Sequence, residues 1–289
     1  MGEGLTVLLT QPARGRTRRV PEGLRAMGLR PVRGRLSSSQ VAGHDVVLPL
    51  ANADVVTLGL HLPHERGRRY LAPTLEAFRT CEDKEVLTRR LAAEGFARNL
   101  PLPVPGERLV RKPRVGDSGA DVSIRPWAPV PEEDPVWTWQ RALEAPVEYT
   151  AHLLIRDRIL MSKGLAYDRG TGAVRSGIAN MVGRVFDLPE AHLALFRDML
   201  NAIGFEGFAC VNYFVEDGCP LVIEINGRLG ASLLQVPEWI AYAYCEALYP
   251  GCCGGRGQPR WPAQIPERSR TKEALRGVER GLRRALRPG

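Results

Sequence analysis

The stretch PLVIEINGRLGAS, residues 220–232, places Glu224 and Asn226 two residues apart in strand-forming sequence. Side chains alternate across a strand, so these two project to one face and Ile223 and Ile225 to the other. One face is apolar and the other carries a pair of oxygen donors, before the chain breaks into Gly227-Arg228-Leu229-Gly230. Taken alone, a strand face that water simply covers looks the same. The preceding FACVNYFVEDGCPLVIEIN reads as two strands around Asp217-Gly218, a strong hairpin signal. A three-residue loop would set Asn212 opposite Glu224, whereas a two-residue loop would offset them. Lys and Arg together exceed Asp and Glu by 40 to 32, a net charge of +8 that favours anionic ligands such as nucleotides, carboxylates or nucleic acid.

The elements that must position these groups follow from periodicity. LTVLL (5–9) and DVVLPL (45–50) read as short buried strands, and PEGLRAMGL between them has helical spacing at Leu24, Met27 and Leu29. DVVTLGL (54–60) reads as a third strand of this small α/β unit, and HLPHERGRRYLAP as a polar, proline-bounded connection. Next, EDKEVLTRRLAAEGF puts Val86, Leu87, Leu91 and Phe96 on a helical stripe that Gly95 is placed to end. RLVRKPRVGDSGADVSI then reads as strand, glycine-containing loop and strand, with Lys112 near the end of the first. VEYTAHLLI and RILMSK form a second hairpin, and LPEAHLALFRDMLNAIG is a helix with Phe196, Met199, Leu200 and Ile203 on one face and Gly204 as its stop.

A chain of 289 residues, 44% hydrophobic and 25% charged, has the composition of an ordinary globular protein. Its six cysteines have neither zinc-site spacing nor a small disulfide framework, so they read as free thiols in a reducing compartment. The N-terminus has too short an apolar core for a signal peptide, and no uncharged apolar run reaches the roughly 18 residues of a membrane span. The expectation is a cytoplasmic protein without a membrane partner. The arginine-rich tail from 256 ends in TKEALRGVERGLRRAL, with Leu275, Val278, Leu282 and Leu286 on one stripe. It reads as a solvated helix packing on the body; nucleic acid is the less favoured partner, since no aromatic residues interleave with the charges.

The order of parts carries more than any one of them. A helix with Asp83-Lys84, a strand with Lys112 and a glycine loop, a hairpin with Glu148, a helix, and a hairpin ending in EINGR together resemble the ATP-grasp superfamily over roughly residues 80–235. The resemblance implies an α+β fold: a two-lobed ATP-grasp module preceded by a small α/β, Rossmann-like domain. The expected units are residues 1–76, then 77–255 with lobes meeting near 140, then the basic tail 256–289.

By the same resemblance, Lys84 and Lys112 touch ATP phosphates, where ammoniums stabilise a triphosphate without demanding fixed geometry. VGDSGA, with Ser118 and Gly119, corresponds to the loop that closes over the phosphates; Gln140 through Leu143 to the hinge beside adenine; and Glu148 to the carboxylate on the ribose. Glu224 and Asn226 look like magnesium ligands, with Asn212 where an acidic residue, or in some branches glutamine, usually supplies a third. Arg228 matches the arginine on the acyl phosphate or the substrate carboxylate, and Arg169 and Arg175 lie in a segment that often binds that carboxylate. Gly227 replaces a common proline. The implied cofactors are ATP and Mg2+, and the implied partners are a small-molecule carboxylate, such as an amino acid or peptide, and an amine, with a homodimer among the expectations. The implied reaction is an ADP-forming ligation through an acyl phosphate. A nucleotide-binding scaffold without turnover is the alternative, prompted by Asn212 and the lean loop. A dinucleotide oxidoreductase would need a GxGxxG after the first strand, and QPARGRTRR does not provide one.

Overall fold

The computed structural model describes residues 4–10, 19–116, 121–169 and 182–266. The chain opens with β1 (Thr6–Thr10), α1 (Val20–Ala26), β2 (Arg30–Gly34), α2 (Ser38–Ala42) and β3 (Val46–Leu48), β1 lying between β2 and β3 and parallel to both. Neither β2 nor α2 was expected from periodicity, because five-residue elements carry too little pattern. DVVTLGL is not a strand. It belongs to helix α3 (Asn52–His61), because the Asp54 carboxylate caps the start by accepting from the Leu50 and Ala51 N–H groups, both at 2.9 Å. Val55 and Leu58, three residues apart, are then the buried pair, and Leu60 is exposed.

α4 (Leu75–Glu82) runs across position 76 and packs in two directions. Phe78 joins Val55 and Leu58, while Ala77 and Cys81 meet Leu87, Phe205 and Ile225. α5 (Lys84–Leu91) follows, buried through Leu87 and Leu91 and ended by a wide turn in which Gly95 takes φ +92, as its placement predicts. Val86 does not join that stripe; it is 41% exposed, one position off the buried face. β4 (Leu109–Pro113) pairs antiparallel with β5 (Ser123–Arg125) and β6 (Trp137–Arg141) in a three-stranded sheet.

The second half is a six-stranded sheet in the order β11-β10-β7-β8-β9-β12, antiparallel throughout. Its members are β7 (Val147–Arg156), β8 (Arg158–Asp168), β9 (Val182–Phe186), β10 (Gly207–Glu216), β11 (Cys219–Asn226) and β12 (Gln264–Pro266). One face packs on α6 (Glu190–Ala202), where Phe196, Met199 and Leu200 meet Ala151, Leu153, Ile155 and Val211. The other face is partly covered by α7 (Pro237–Leu248), a helix that sequence reading did not anticipate. Trp239, Ile240 and Tyr244 of α7 join Leu154, Leu165 and Phe208 to Val7, Val46 and Leu48 of the N-terminal sheet in one continuous core. The apolar tail stripe at 275–286 lies outside the described residues, and no described helix is long and apolar enough to cross a membrane.

Candidate functional site

The β10–β11 hairpin turns through two residues, Asp217 and Gly218, with φ of 50° and 77°, the backbone twist that antiparallel strands favour. A two-residue loop alone would offset Asn212 from Glu224. The offset is cancelled by a bulge: Tyr213 faces Val222, Asn212 faces Glu224, and Ile223 is the extra residue between them. The bulge also breaks the alternation expected for the two isoleucines. Ile225 enters the α6-side core, while Ile223 packs with Leu143, Phe214 and Leu221 on the other side.

A bulged residue leaves ladder groups unpaired, and here the Ile223 carbonyl is used by the other sheet. Lys112 Nζ donates to it at 2.8 Å and Gln140 Nε2 at 3.3 Å, so β4 and β6 are pinned onto β11 at the bulge. Lys112 is buried, and that burial pulls its ammonium down to about 8, Lys84 adding to the fall while Glu224 and Glu148 oppose it. Lys84 opens α5, whose N-terminus is capped by Asp83, a carboxylate itself gripped by Arg114 at 2.7 Å. Lys84 Nζ donates to the Gly116 carbonyl at 2.7 Å and lies 3.8 Å from Glu224 Oε2. Two buried ammoniums thus approach the carboxylate of one bulged strand.

On the open face, residues change character as each strand emerges from beneath α7. Leu154 gives way along β7 to His152, Thr150 and Glu148; on β10, Phe208 gives way to Cys210 and Asn212. Register then aligns Glu224, Asn212 and Thr150 in one row and Asn226, Cys210 and His152 in the next. The Thr150 hydroxyl donates to Asn212 Oδ1 at 3.0 Å, and Asn226 Nδ2 donates to Glu224 Oε1 at 2.6 Å. Arg228 reaches back to Asn226 Oδ1 at 3.4 Å. Glu148 is buried and paired with Arg169 at 2.7 Å; burial raises its carboxyl, Arg169 and Lys112 work against that, and Glu224 adds to it.

The loop that carries Arg228 is seated closely at two glycines, tightly at Gly227 and with no room for a side chain at Gly230. A Cβ at Gly227 would come within 3.2 Å of Phe205 and 3.4 Å of Phe78, and one at Gly230 within 2.3 Å of the His152 ring. His152 is fully buried, and burial drives its imidazole down to about 3, so it is neutral. Its Nε2 meets the Ser232 hydroxyl at 2.7 Å.

Of the residues expected to do chemistry, Lys84, Lys112, Gln140, Glu148, Arg169, Asn212, Glu224, Asn226 and Arg228 fall in this one region, with Leu143 in the apolar cluster at its edge. Ser118, Gly119 and Arg175 lie outside the described residues. Thr150, His152 and Ser232 escaped sequence reading. The first two share the outward alternation of Glu148 in VEYTAHLL, a signal that was present, whereas Ser232 reaches the region only through the folded loop.

No family model and no curated protein sequence matches the chain. Solved structures match at the level of the fold. A D-alanine–D-alanine ligase from Bacillus anthracis superposes with a TM-score of 0.52 and 16% identity over 79% of this chain and 88% of that one. An L-amino acid ligase from Bacillus licheniformis gives 0.56 and 14% over 84% and 75%. An ATP-grasp ligase complexed with a minimal precursor gives 0.56 and 14% over 84% and 99%. The chain shares its fold with these structures, one of them an ATP-grasp ligase.

Proposed function

We propose that this protein is an ATP-dependent ligase that joins a carboxylate, of an amino acid or peptide, to an amine and releases ADP and phosphate. The observation that carries the reading is the convergence of Lys84 and Lys112, both buried, on the strand that bears Glu224 and Asn226. An ammonium burdened by burial gains most from a polyanion, and a triphosphate is the anion this fold suggests. Lys84 and Lys112 hold the phosphates; Leu143, Phe214, Leu221 and Ile223 offer an apolar seat for the base beside Gln140; Glu148 faces the ribose. Ser118 and Gly119 are proposed to close over the phosphates.

Glu224, Asn226 and Asn212 suit magnesium, being hard oxygen donors on adjacent strands with one carboxylate among them. When bound, the ion would supply charge neutralisation to the triphosphate. With one protein carboxylate in the set, a single ion is the fitting number. Arg228 orients the reacting carboxylate and stabilises charge on the acyl phosphate, with Arg169 and Arg175 as further carboxylate contacts. The protein works by positioning and charge, with no nucleophile of its own. The small parallel sheet β2-β1-β3 is read as the domain that precedes the ATP-grasp module and adds to the substrate cleft.

Calorimetric titration of ATP into the protein, with magnesium and with EDTA, tests this. The expected result is magnesium-strengthened binding that Lys112→Ala loses, followed by ADP release on adding the correct acid and amine. Absence of binding would overturn the proposal. Tight ATP binding without ADP release for any acid and amine pair would favour a nucleotide-binding scaffold, the reading to which Asn212 opposite Glu224 and the Glu148–Arg169 pair lend support.

A further inference from the structure

Cys252 and Cys253 follow α7 in a loop where Gly251, Gly254 and Gly255 have φ of 83°, 62° and 74°. These left-handed residues fold the loop back over the last turn of the helix. Glu246, from that turn, accepts from the Gly251 N–H at 2.7 Å through Oε2 and from the Cys253 N–H at 2.9 Å through Oε1. The same Oε1 lies 3.9 Å from Cys252 Sγ, and the two sulfurs are 3.9 Å apart. A tetrahedral ion with thiolate bonds of about 2.3 Å sets its sulfurs about 3.8 Å apart. The sulfurs therefore already stand at the separation that one shared ion requires.

We propose that Glu246, Cys252 and Cys253 form a binding site for one divalent cation of the zinc and cadmium class, with the fourth position open to solvent. Cys253 is buried, while Cys252 and Glu246 are half-buried, which leaves one edge of the set accessible. Two sulfurs and one oxygen select zinc or cadmium over magnesium, the opposite preference to the oxygen-only set at Glu224 and Asn226. A bound cation displaces two thiol protons to solvent and bonds the resulting thiolates. A role for Glu246 as loop cap accounts for its bonds to the two N–H groups. It does not account for both sulfurs and a carboxylate oxygen of Glu246 lying within 4.8 Å of one another. The loop also joins distant parts of the chain: Arg256 donates to the Cys253 and Met27 carbonyls, and Tyr249 to the Asp45 carbonyl. An ion here would fasten α7 to the N-terminal sheet, and no residue of the proposed ligase site takes part.

The test titrates Cd2+ into the full chain after chelator treatment, following thiolate-to-cadmium absorption and counting ions by native mass spectrometry. The expected result is one ion per chain, an absorption band that Zn2+ abolishes by exchange, and a raised melting temperature. Cys252→Ser with Cys253→Ser removes band and ion, Glu246→Gln weakens binding by about tenfold or more, and Cys219→Ser leaves all three readouts unchanged. Should the double variant fail to fold, alkylation mapped by peptide mass in the unaltered chain decides: Cd2+ must protect Cys252. No uptake, a band that survives the double variant, or equal alkylation with and without Cd2+ would overturn the proposal. None of these readouts depends on ligase activity.

Discussion

Lys112 shows how a residue's chemistry is set by what surrounds it. Its ammonium is buried against a carbonyl and shares the neighbourhood with Lys84, so without a bound anion it destabilises the fold. The folded value near 8 lies below the ordinary 10.5, so the unfolded chain holds this proton more tightly. Below about pH 8 both states are charged and the burial cost is complete; between 8 and 10.5 the folded chain releases its proton first and the cost fades. Lys112→Met is therefore expected to stabilise the nucleotide-free protein by on the order of 2 kcal/mol at pH 7. That gain should shrink as pH rises through 8 to 10, measured by urea unfolding of both proteins. A pH-independent difference over that range would mean that the folded and unfolded chains hold this proton equally, so that burial does not depress Lys112.

At the scale of elements, the bulge and the seated loop matter more than any single contact. The bulge at Ile223 sets the register of Glu224 and lends a carbonyl to the opposite sheet in one step. The loop after β11 holds Arg228 at a position fixed by Gly230 on the His152 ring and by Ser232 on its Nε2. Gly230→Ala must lift that loop. ATP affinity, held by Lys84 and Lys112, is expected to stay within about twofold, while turnover falls by about a hundredfold, the cost of a misplaced charge-stabilising group. Steady-state kinetics beside ATP titration separates the two; a parallel loss of both would show that the loop instead supports the nucleotide.

At the scale of the whole molecule, one core runs from the N-terminal sheet through α7 into the six-stranded sheet. Tyr244 ties these layers: its hydroxyl donates to the Leu71 carbonyl at 2.9 Å and accepts from the Leu71 N–H at 2.6 Å. Tyr244→Phe leaves those backbone groups buried without their partner. It should cost about 1–3 kcal/mol and lower the melting temperature while the protein still unfolds in a single transition. Two resolved transitions would show that the N-terminal sheet is a separately stable body.

Much of this was legible in the sequence, and the boundary has a physical basis. Local pattern determined β1, β3, α6, the hairpins and the stop at Gly95, since periodicity, turn residues and positive-φ glycines act over a few neighbours. The order of those parts, with Lys84, Lys112, Glu148 and EINGR at their places, determined the ATP-grasp resemblance. Tertiary structure decided what local pattern could not. DVVTLGL is apolar enough for either a strand or a helix, and Asp54 settled it by capping the chain where Leu50 and Ala51 needed an acceptor. Asn212 meets Glu224 because a bulge compensates a two-residue turn, a choice made by packing Ile223 and Ile225 into different clusters. The depressed lysine, the neutral histidine and the gathered thiols are likewise properties of surroundings, because desolvation and distance exist only once the chain has folded.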